Sequence, residues 1–107
     1  MTTWTVVGDA EGNPTTKDCH HLSRAVEVEL PARHACVDCL REGTRWVHLR
    51  QCVECGHVGC CDNSPRRHAT AHWRHTEHVL VRSIEPGEEW GWCYADELFL
   101  LPAEEES

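Results

Sequence analysis

The sequence predicts a small α+β domain in which a short, twisted, mostly antiparallel sheet accompanies one main helix. Four short segments, residues 45–51, 79–84, 90–94 and 97–101, have the apolar patterning that is typical of strands. The pair Ser64-Pro65 has the form of a helix start, with Ser64 as N-cap and Pro65 at the first helical position, and predicts a helix over residues 65–75. A chain of 107 residues is long enough for one such domain.

The chain divides into three parts by composition. Residues 1–18 include the polar, turn-rich stretch 8–14 and predict a loosely ordered lead-in. Residues 19–101 form the dense unit that holds the predicted strands and helix. Residues 102–107 are an acidic tail, for which we expect fraying.

The charge balance argues against several classes of partner. Ten Lys and Arg against 18 Asp and Glu give a formal net charge of −8 with neutral histidine, which disfavours nucleic-acid binding because phosphate contacts need clustered cations. No apolar run approaches the roughly 18 residues of a membrane span. The first residues lack a basic start and an apolar stretch, so we expect a cytoplasmic protein.

Cysteine and histidine are the unusual components of the sequence. The chain has 8 Cys and 9 His but only 40% apolar residues, which is a thin core for a small domain. Disulfides or bound metal could supply the missing stability. Histidines beside the cysteines, without a secretory signal, favour metal, and the ligand types favour zinc.

Two C-x-x-C pairs carry the strongest metal signal. They occupy residues 36–39 and 52–55, and Gly56 follows the second pair. Two thiolates three positions apart in a tight turn can both reach a zinc ion at about 2.3 Å, and glycine allows the left-handed backbone that the turn needs. The further candidate ligands are Cys60, Cys61, His68, His72, His75, His78, Cys19, His20, His21, Cys93 and Asp96.

The order of the motifs then resembles a known family. The motifs are C-x-H-L at 19–22, C-x-x-C at 36–39, W-V-H-L at 46–49, C-x-x-C-G-x-x-x-C at 52–60, H-A-x-x-H at 68–72, His78, and W-C-Y at 92–94. This order resembles the UBP-type zinc finger, the ubiquitin-binding module also called the deubiquitinase or BUZ zinc finger. Residues 56–64 look most like its small, stand-alone bacterial members.

The resemblance implies three zinc ions in cross-braced sites. The implied sets are Cys36, Cys39, Cys60 and His68 for the first site, Cys52, Cys55, His72 and His78 for the second, and Cys19, His21, Cys93 and Asp96 for the third. In the third set Asp96 stands where many members of the family have a second cysteine, and a carboxylate is an acceptable zinc ligand. Cys61 is left over, and a small buried thiol is the simplest interpretation of it.

The resemblance also implies a peptide pocket. Aromatic side chains at the positions of Trp46, Trp92 and Tyr94 help to form the slot that receives the C-terminal Gly-Gly of ubiquitin. The alternative is that the two tryptophans are core residues, and one residue can do both. Ubiquitin-binding members place a carboxylate-gripping arginine at the position of Asp62. An aspartate there would repel a carboxylate.

We therefore expect a non-catalytic module that binds a peptide or protein, with a neutral or cationic ligand preferred. The alternative function is a receptor for the C-terminal Gly-Gly of ubiquitin or a ubiquitin-like protein. Four protein ligands at each zinc are typical of structural sites and not of enzymes.

Overall fold

The computed structural model describes residues 3–103, and these form the α+β domain that the sequence predicts. Six strands make one sheet in the order β1-β6-β5-β4-β2-β3, with every neighbouring pair antiparallel. The strands are β1 Thr3–Asp9, β2 Leu49–Cys52, β3 Val58–Cys60, β4 Leu80–Ser83, β5 Gly91–Cys93 and β6 Leu98–Ala103. The helices are a 3₁₀-helix at His20–Arg24, α1 at Val37–Glu42 and α2 at His68–Thr76. Neither α-helix has the length and apolar character needed to cross a membrane.

The first strand corrects the predicted lead-in. Residues 3–9 form β1 and pair with β6, with a bulge between Val6 and Gly8, so the prediction of loose order over residues 1–18 is wrong for this segment. The strand is stabilised by the side chain of Trp4, which packs against the buried cluster that contains Leu80 and Leu100. Gly91 makes room for this ring, since a Cβ there would lie 2.9 Å from Trp4 Cζ3. Strand β6 also takes in residues 102–103 of the predicted tail, whereas residues 104–107 lie outside the described part of the chain.

The main helix begins later than predicted. It starts at His68 with Arg67 as N-cap, and Ser64 is buried instead, where its hydroxyl accepts a hydrogen bond from the Val47 N–H at 2.8 Å. The His68 N–H donates to Cys60 Sγ at 3.2 Å. The turn between Cys60 and His68 brings the Cys60 sulfur next to His68. Residues 65–67 belong to this turn, so they do not form the first part of the helix.

The sheet presents one open face beside α2. The register pairs Val81 with Trp92 and Trp92 with Phe99, so these three side chains share a face. Helix α2 covers the neighbouring part of this face over β3, where Gly59 lets the backbones approach: a Cβ at Gly59 would lie 2.6 Å from Ala69 N. Trp92 and Phe99, the aromatic residues of β5 and β6, are only partly buried.

The opposite face is covered by the segment that follows the 3₁₀-helix. Val26 N–H donates to the Val53 carbonyl at 2.8 Å, and Gln51 Nε2 donates to the Glu29 carbonyl at 2.8 Å. Most of the large buried apolar side chains lie in two clusters, one beneath this segment and the other around the first C-x-x-C pair.

Candidate functional site

The first C-x-x-C pair meets a cysteine of β3 and a histidine of α2. Nδ1 of His68 lies 3.4 Å from Cys36 Sγ, 3.3 Å from Cys39 Sγ and 3.4 Å from Cys60 Sγ, and the two sulfurs of Cys39 and Cys60 are 3.8 Å apart. All four residues are buried. A tetrahedral zinc site with ordinary bond lengths has edges of about 3.8 Å between sulfurs and about 3.5 Å between sulfur and nitrogen, so this cluster has the size of a zinc site.

A carboxylate fixes the orientation of the His68 ring. Glu42, the last residue of α1, has Oε2 3.0 Å from His68 Nε2, and its Oε1 accepts from Arg66 Nε at 3.0 Å. A proton on Nε2, shared with this carboxylate, leaves the Nδ1 lone pair directed at the three sulfurs. This is the carboxylate–histidine arrangement that accompanies many zinc ligands.

The second C-x-x-C pair meets the second half of α2. Cys55 Sγ lies 3.3 Å from His72 Nε2, and Cys52 Sγ lies 3.7 Å from His78 Nδ1. Gly56 has φ of 87°, the left-handed conformation expected after the pair. The ring of His57 stacks on the ring of His72 with 4.5 Å between centroids. This cluster is more exposed than the first, since only Cys52 is fully buried.

The third cluster joins the start of the 3₁₀-helix to the end of β5 and the turn that follows it. His21 Nδ1 lies 2.9 Å from Asp96 Oδ2, 3.7 Å from Cys93 Sγ and 3.9 Å from Cys19 Sγ. The two cysteines are buried, whereas His21 and Asp96 are partly exposed. Asp96 therefore does lie at this cluster, in the position that the sequence assigns to it.

The donor atoms of each cluster fit zinc. In every cluster, four possible ligand atoms lie within 4.8 Å of one another. Burial is the largest cause that raises the pKa of the Cys19, Cys36 and Cys52 thiols to about 12, so a thiolate at these positions needs a compensating cation. Zinc bound by Cys and His supplies that charge and is held by four protein ligands in structural sites. The three clusters could each hold one zinc ion.

Beside the clusters, the open face of the sheet contains an aromatic pocket of about 220 Å³. It is lined by Arg50, Cys61, Asp62, Asn63, Val81, Trp90, Trp92, Tyr94 and Phe99. Tyr94 stacks on Trp73 of α2 with 4.7 Å between ring centroids and nearly parallel planes, which joins the pocket wall to the zinc-bearing helix. Three of the four peptide-binding candidates, Asp62, Trp92 and Tyr94, line this pocket.

Comparison with known proteins agrees with this geometry. The profile of the family described as "Zn-finger in ubiquitin-hydrolases and other protein" matches residues 36–104. This chain belongs to the UBP-type zinc-finger family. The domain is similar to the solution NMR structure of protein RPA1320 from Rhodopseudomonas palustris, with 45% identity, a TM-score of 0.70, and coverage of 81% of this chain and 84% of that one. No curated protein matches the chain.

In this UBP-type zinc finger, all twelve residues that the sequence assigns to zinc lie in the three predicted groups. The grouping also reproduces the predicted cross-brace, because each C-x-x-C pair meets a different part of α2. Cys61 belongs to none of the three clusters: its thiol is buried and lies 3.7 Å from Ser64 Oγ. His75 likewise lies outside them, on the exposed side of α2.

One residue that the sequence predicts for the pocket of this UBP-type zinc finger lies elsewhere. Trp46 does not line the pocket but packs against the buried cluster around Cys36, Leu49 and Ile84. Trp46 is half-buried at the edge of this cluster, which agrees with the alternative that it packs on the core, whereas Trp92 lines the pocket.

The sequence did not single out Arg50, Trp90 or Phe99 as pocket residues. The Arg50 guanidinium lies over the Trp90 ring, 4.4 Å from its centroid, and Phe99 meets Trp90 edge to face. The spacing of Trp90 and Trp92, two residues apart in a strand, could have indicated that they share a face. Nothing in the sequence alone brings Arg50 across from β2, since that contact depends on the strand order.

Proposed function

We propose that this UBP-type zinc finger is a non-catalytic module that binds a short peptide segment of a partner protein in the aromatic pocket. The observation that carries the proposal is the convergence of Trp90, Trp92, Tyr94 and Phe99 on one open pocket beside the zinc-braced helix. Flat rings can enclose a narrow segment such as glycine while leaving its backbone accessible to hydrogen bonding. The zinc clusters support a structural role, because each offers four protein ligands and so leaves no position for a reacting molecule.

The charges in the pocket favour a neutral ligand. Arg50 uses Nη1 for a hydrogen bond to the Leu49 carbonyl at 3.0 Å, and Asp62 accepts a hydrogen bond from the Thr70 hydroxyl. One cation and one anion line the same pocket, so a ligand of either charge meets an attraction and a repulsion of similar size. A peptide group avoids this conflict, since its carbonyl can accept from Arg50 while its N–H donates to Asp62.

The test is an NMR titration of the zinc-loaded protein. The probe is an acetylated and amidated peptide with a central Leu-Gly-Gly segment, and the signals to follow are the indole N–H resonances of Trp90 and Trp92. We expect saturable shifts of both signals. In Trp92→Ala the Trp90 shift should be lost, whereas it should be kept in Leu40→Ala, a control at an exposed site of α1 outside the pocket. Equal binding by these two variants would contradict the proposal.

The position of Arg50 also supports the alternative function, a receptor for the C-terminal Gly-Gly of ubiquitin or a ubiquitin-like protein. Its guanidinium lies in the pocket and could accept a terminal carboxylate, even though Asp62 occupies the position of the family's carboxylate-gripping arginine. Loss of one charge-assisted hydrogen bond costs about 1.5–3 kcal/mol, and a like charge adds a repulsion of similar order. We therefore propose that a free Gly-Gly terminus binds at least about a hundredfold more weakly than it would to an arginine at position 62.

Comparison of a free and an amidated Gly-Gly terminus separates the two functions. The natural protein should prefer the amidated peptide, whereas Asp62→Arg should bind the free terminus and lose that gain on amidation. Tight binding of the free terminus by the natural protein would favour the ubiquitin-receptor function. We propose that the partner is a protein or peptide and not a nucleic acid or a membrane, and that the module acts in the cytoplasm.

A further inference from the structure

A second cleft adjoins the aromatic pocket and has a different chemistry. It has a volume of about 480 Å³ and lies along the outer side of α2, where it is lined by Asp62, Arg66, Arg67, Thr70, Ala71, Arg74 and His75. Asp62 lines both the cleft and the pocket. A peptide that leaves the pocket past Asp62 therefore enters a cleft with three arginines.

Two of these arginines have no ionic partner in residues 3–103. Arg66 pairs with Glu42 at 3.0 Å, but neither Arg67 nor Arg74 makes an ion pair with the described part of the chain. The Arg74 guanidinium lies 6.0 Å from the centroid of the Trp73 ring, which is a distant contact. Of the residues that the structure describes, Asp62 is the only carboxylate that lines the cleft, so Arg67 and Arg74 leave the cleft with an excess of positive charge on a protein whose net charge is −8.

The backbone of Arg67 is also unusual. This residue has φ of 47°, in the left-handed region that asparagine and glycine adopt more readily than arginine. It is exposed, and its side chain makes no capping hydrogen bond to α2. Within residues 3–103 the Arg67 guanidinium therefore makes neither a capping hydrogen bond nor an ion pair, and it is exposed where a ligand could contact it.

We propose that the peptide bound in the aromatic pocket carries acidic side chains next to the segment in the pocket, and that these contact Arg67 and Arg74. This inference rests on the proposed function and names the chemistry of the partner: a neutral, narrow segment flanked by Asp or Glu. Two unpaired arginines suit a pair of carboxylates. They are far fewer than the six to ten phosphate contacts of a typical DNA-binding protein.

The experiment compares three acetylated and amidated peptides on the zinc-loaded protein. Each has a central Leu-Gly-Gly segment, flanked on both sides by Glu-Ser-Glu, by the isosteric Gln-Ser-Gln or by Lys-Ser-Lys. We expect the affinities to rank Glu above Gln above Lys, with about a two- to fivefold gain from Gln to Glu for each arginine engaged. Raising the NaCl concentration to about 0.5 M should remove most of that gain, because it reduces the Debye length to about 4 Å.

Two variants assign the gain to the cleft. Arg67→Asn and Arg74→Gln should each reduce the preference for the Glu peptide without changing the affinity for the Gln peptide. Arg67→Asn should also keep or raise the melting temperature, because asparagine is more favourable at this φ. The double variant Arg24→Gln, Arg33→Gln changes exposed arginines that line neither cavity, and it should keep the full preference.

The outcomes separate this inference from the proposed function. Tryptophan indole shifts with both Glu and Gln peptides, but no preference between them, would overturn the acidic flank and leave the pocket proposal intact. A preference that survives both arginine variants would also overturn it. Absence of indole shifts with every peptide would overturn both proposals, and stronger binding of a single-stranded oligonucleotide than of the Glu peptide would assign the cleft to nucleic acid instead.

Discussion

Removal of single zinc ligands should have very unequal effects. Cys39 is fully buried, and its sulfur lies 3.3 Å from His68 Nδ1 within a cluster of four buried ligands, so water cannot replace it in Cys39→Ser. Structural zinc contributes on the order of 10 kcal/mol at neutral pH, which matches the whole stability of an ordinary small domain. We expect Cys39→Ser to leave the chain largely unfolded.

Asp96→Ala should be much milder. The Asp96 side chain keeps 32% of its surface exposed, so water can take its place at the third cluster. Loss of one charge-assisted contact costs about 1.5–3 kcal/mol. That range corresponds to zinc binding about 10- to 150-fold weaker at this site, with the other two sites intact.

The assay measures zinc per folded chain together with amide dispersion in NMR spectra. A chromophoric chelator titrated against each variant would report the affinity of the weakest site. Cys61→Ser is the matched control, because it removes a buried thiol that belongs to no cluster, and it should retain three zinc ions. If Asp96→Ala unfolds the domain as completely as Cys39→Ser, the ranking of the sites by burial is wrong.

Three further predictions test the metal and its surroundings. Complete chelation of zinc should abolish the amide dispersion of the NMR spectrum, and a dispersed spectrum of the metal-free chain would refute the dependence of the fold on zinc. Acidification should release zinc because thiolates and imidazoles take up protons, so the free energy of unfolding should fall with falling pH. Glu42→Gln should weaken zinc binding at the first cluster about 10- to 100-fold by chelator competition, since its carboxylate orients His68, and an unchanged affinity would contradict that role. Gly59→Ala should lower the free energy of unfolding by about 1–3 kcal/mol in denaturant titrations, because the new Cβ meets Ala69 N, whereas Gly8→Ala, which is far from α2, should cost less.

The metal sites could be predicted because their signals are local in sequence. A C-x-x-C pair closes its own turn, and two histidines four residues apart share a helix face, so the spacing of Cys52, Cys55, His68 and His72 fixes much of the geometry before any tertiary contact forms. The partition into three groups came from the family resemblance, and the clusters of the structure have the same membership.

The fold could be predicted only in outline. The class and four of the strands were predicted, but β1 and β3 were not. The alternation in β1 covers only residues 3–6 before a turn-rich stretch, and β3 has three residues, which are too few to show a period. The start of α2 was displaced by three residues because the Ser64-Pro65 signal is local, while the position of His68 is set by Cys60. A helix-capping preference of about 1 kcal/mol cannot compete with a metal cluster.

Composition and short-range spacing are enough to predict the class of the domain, its acidic charge and the residues that could hold zinc. The lining of the pocket could not be predicted in this way. Arg50 comes from β2, Trp92 from β5 and Phe99 from β6, and their meeting depends on the strand order, whereas Trp46 is drawn into the core beside the first cluster. Contacts between distant segments depend on how the sheet and α2 pack around the zinc clusters. Residue type and periodicity along the chain do not specify that packing.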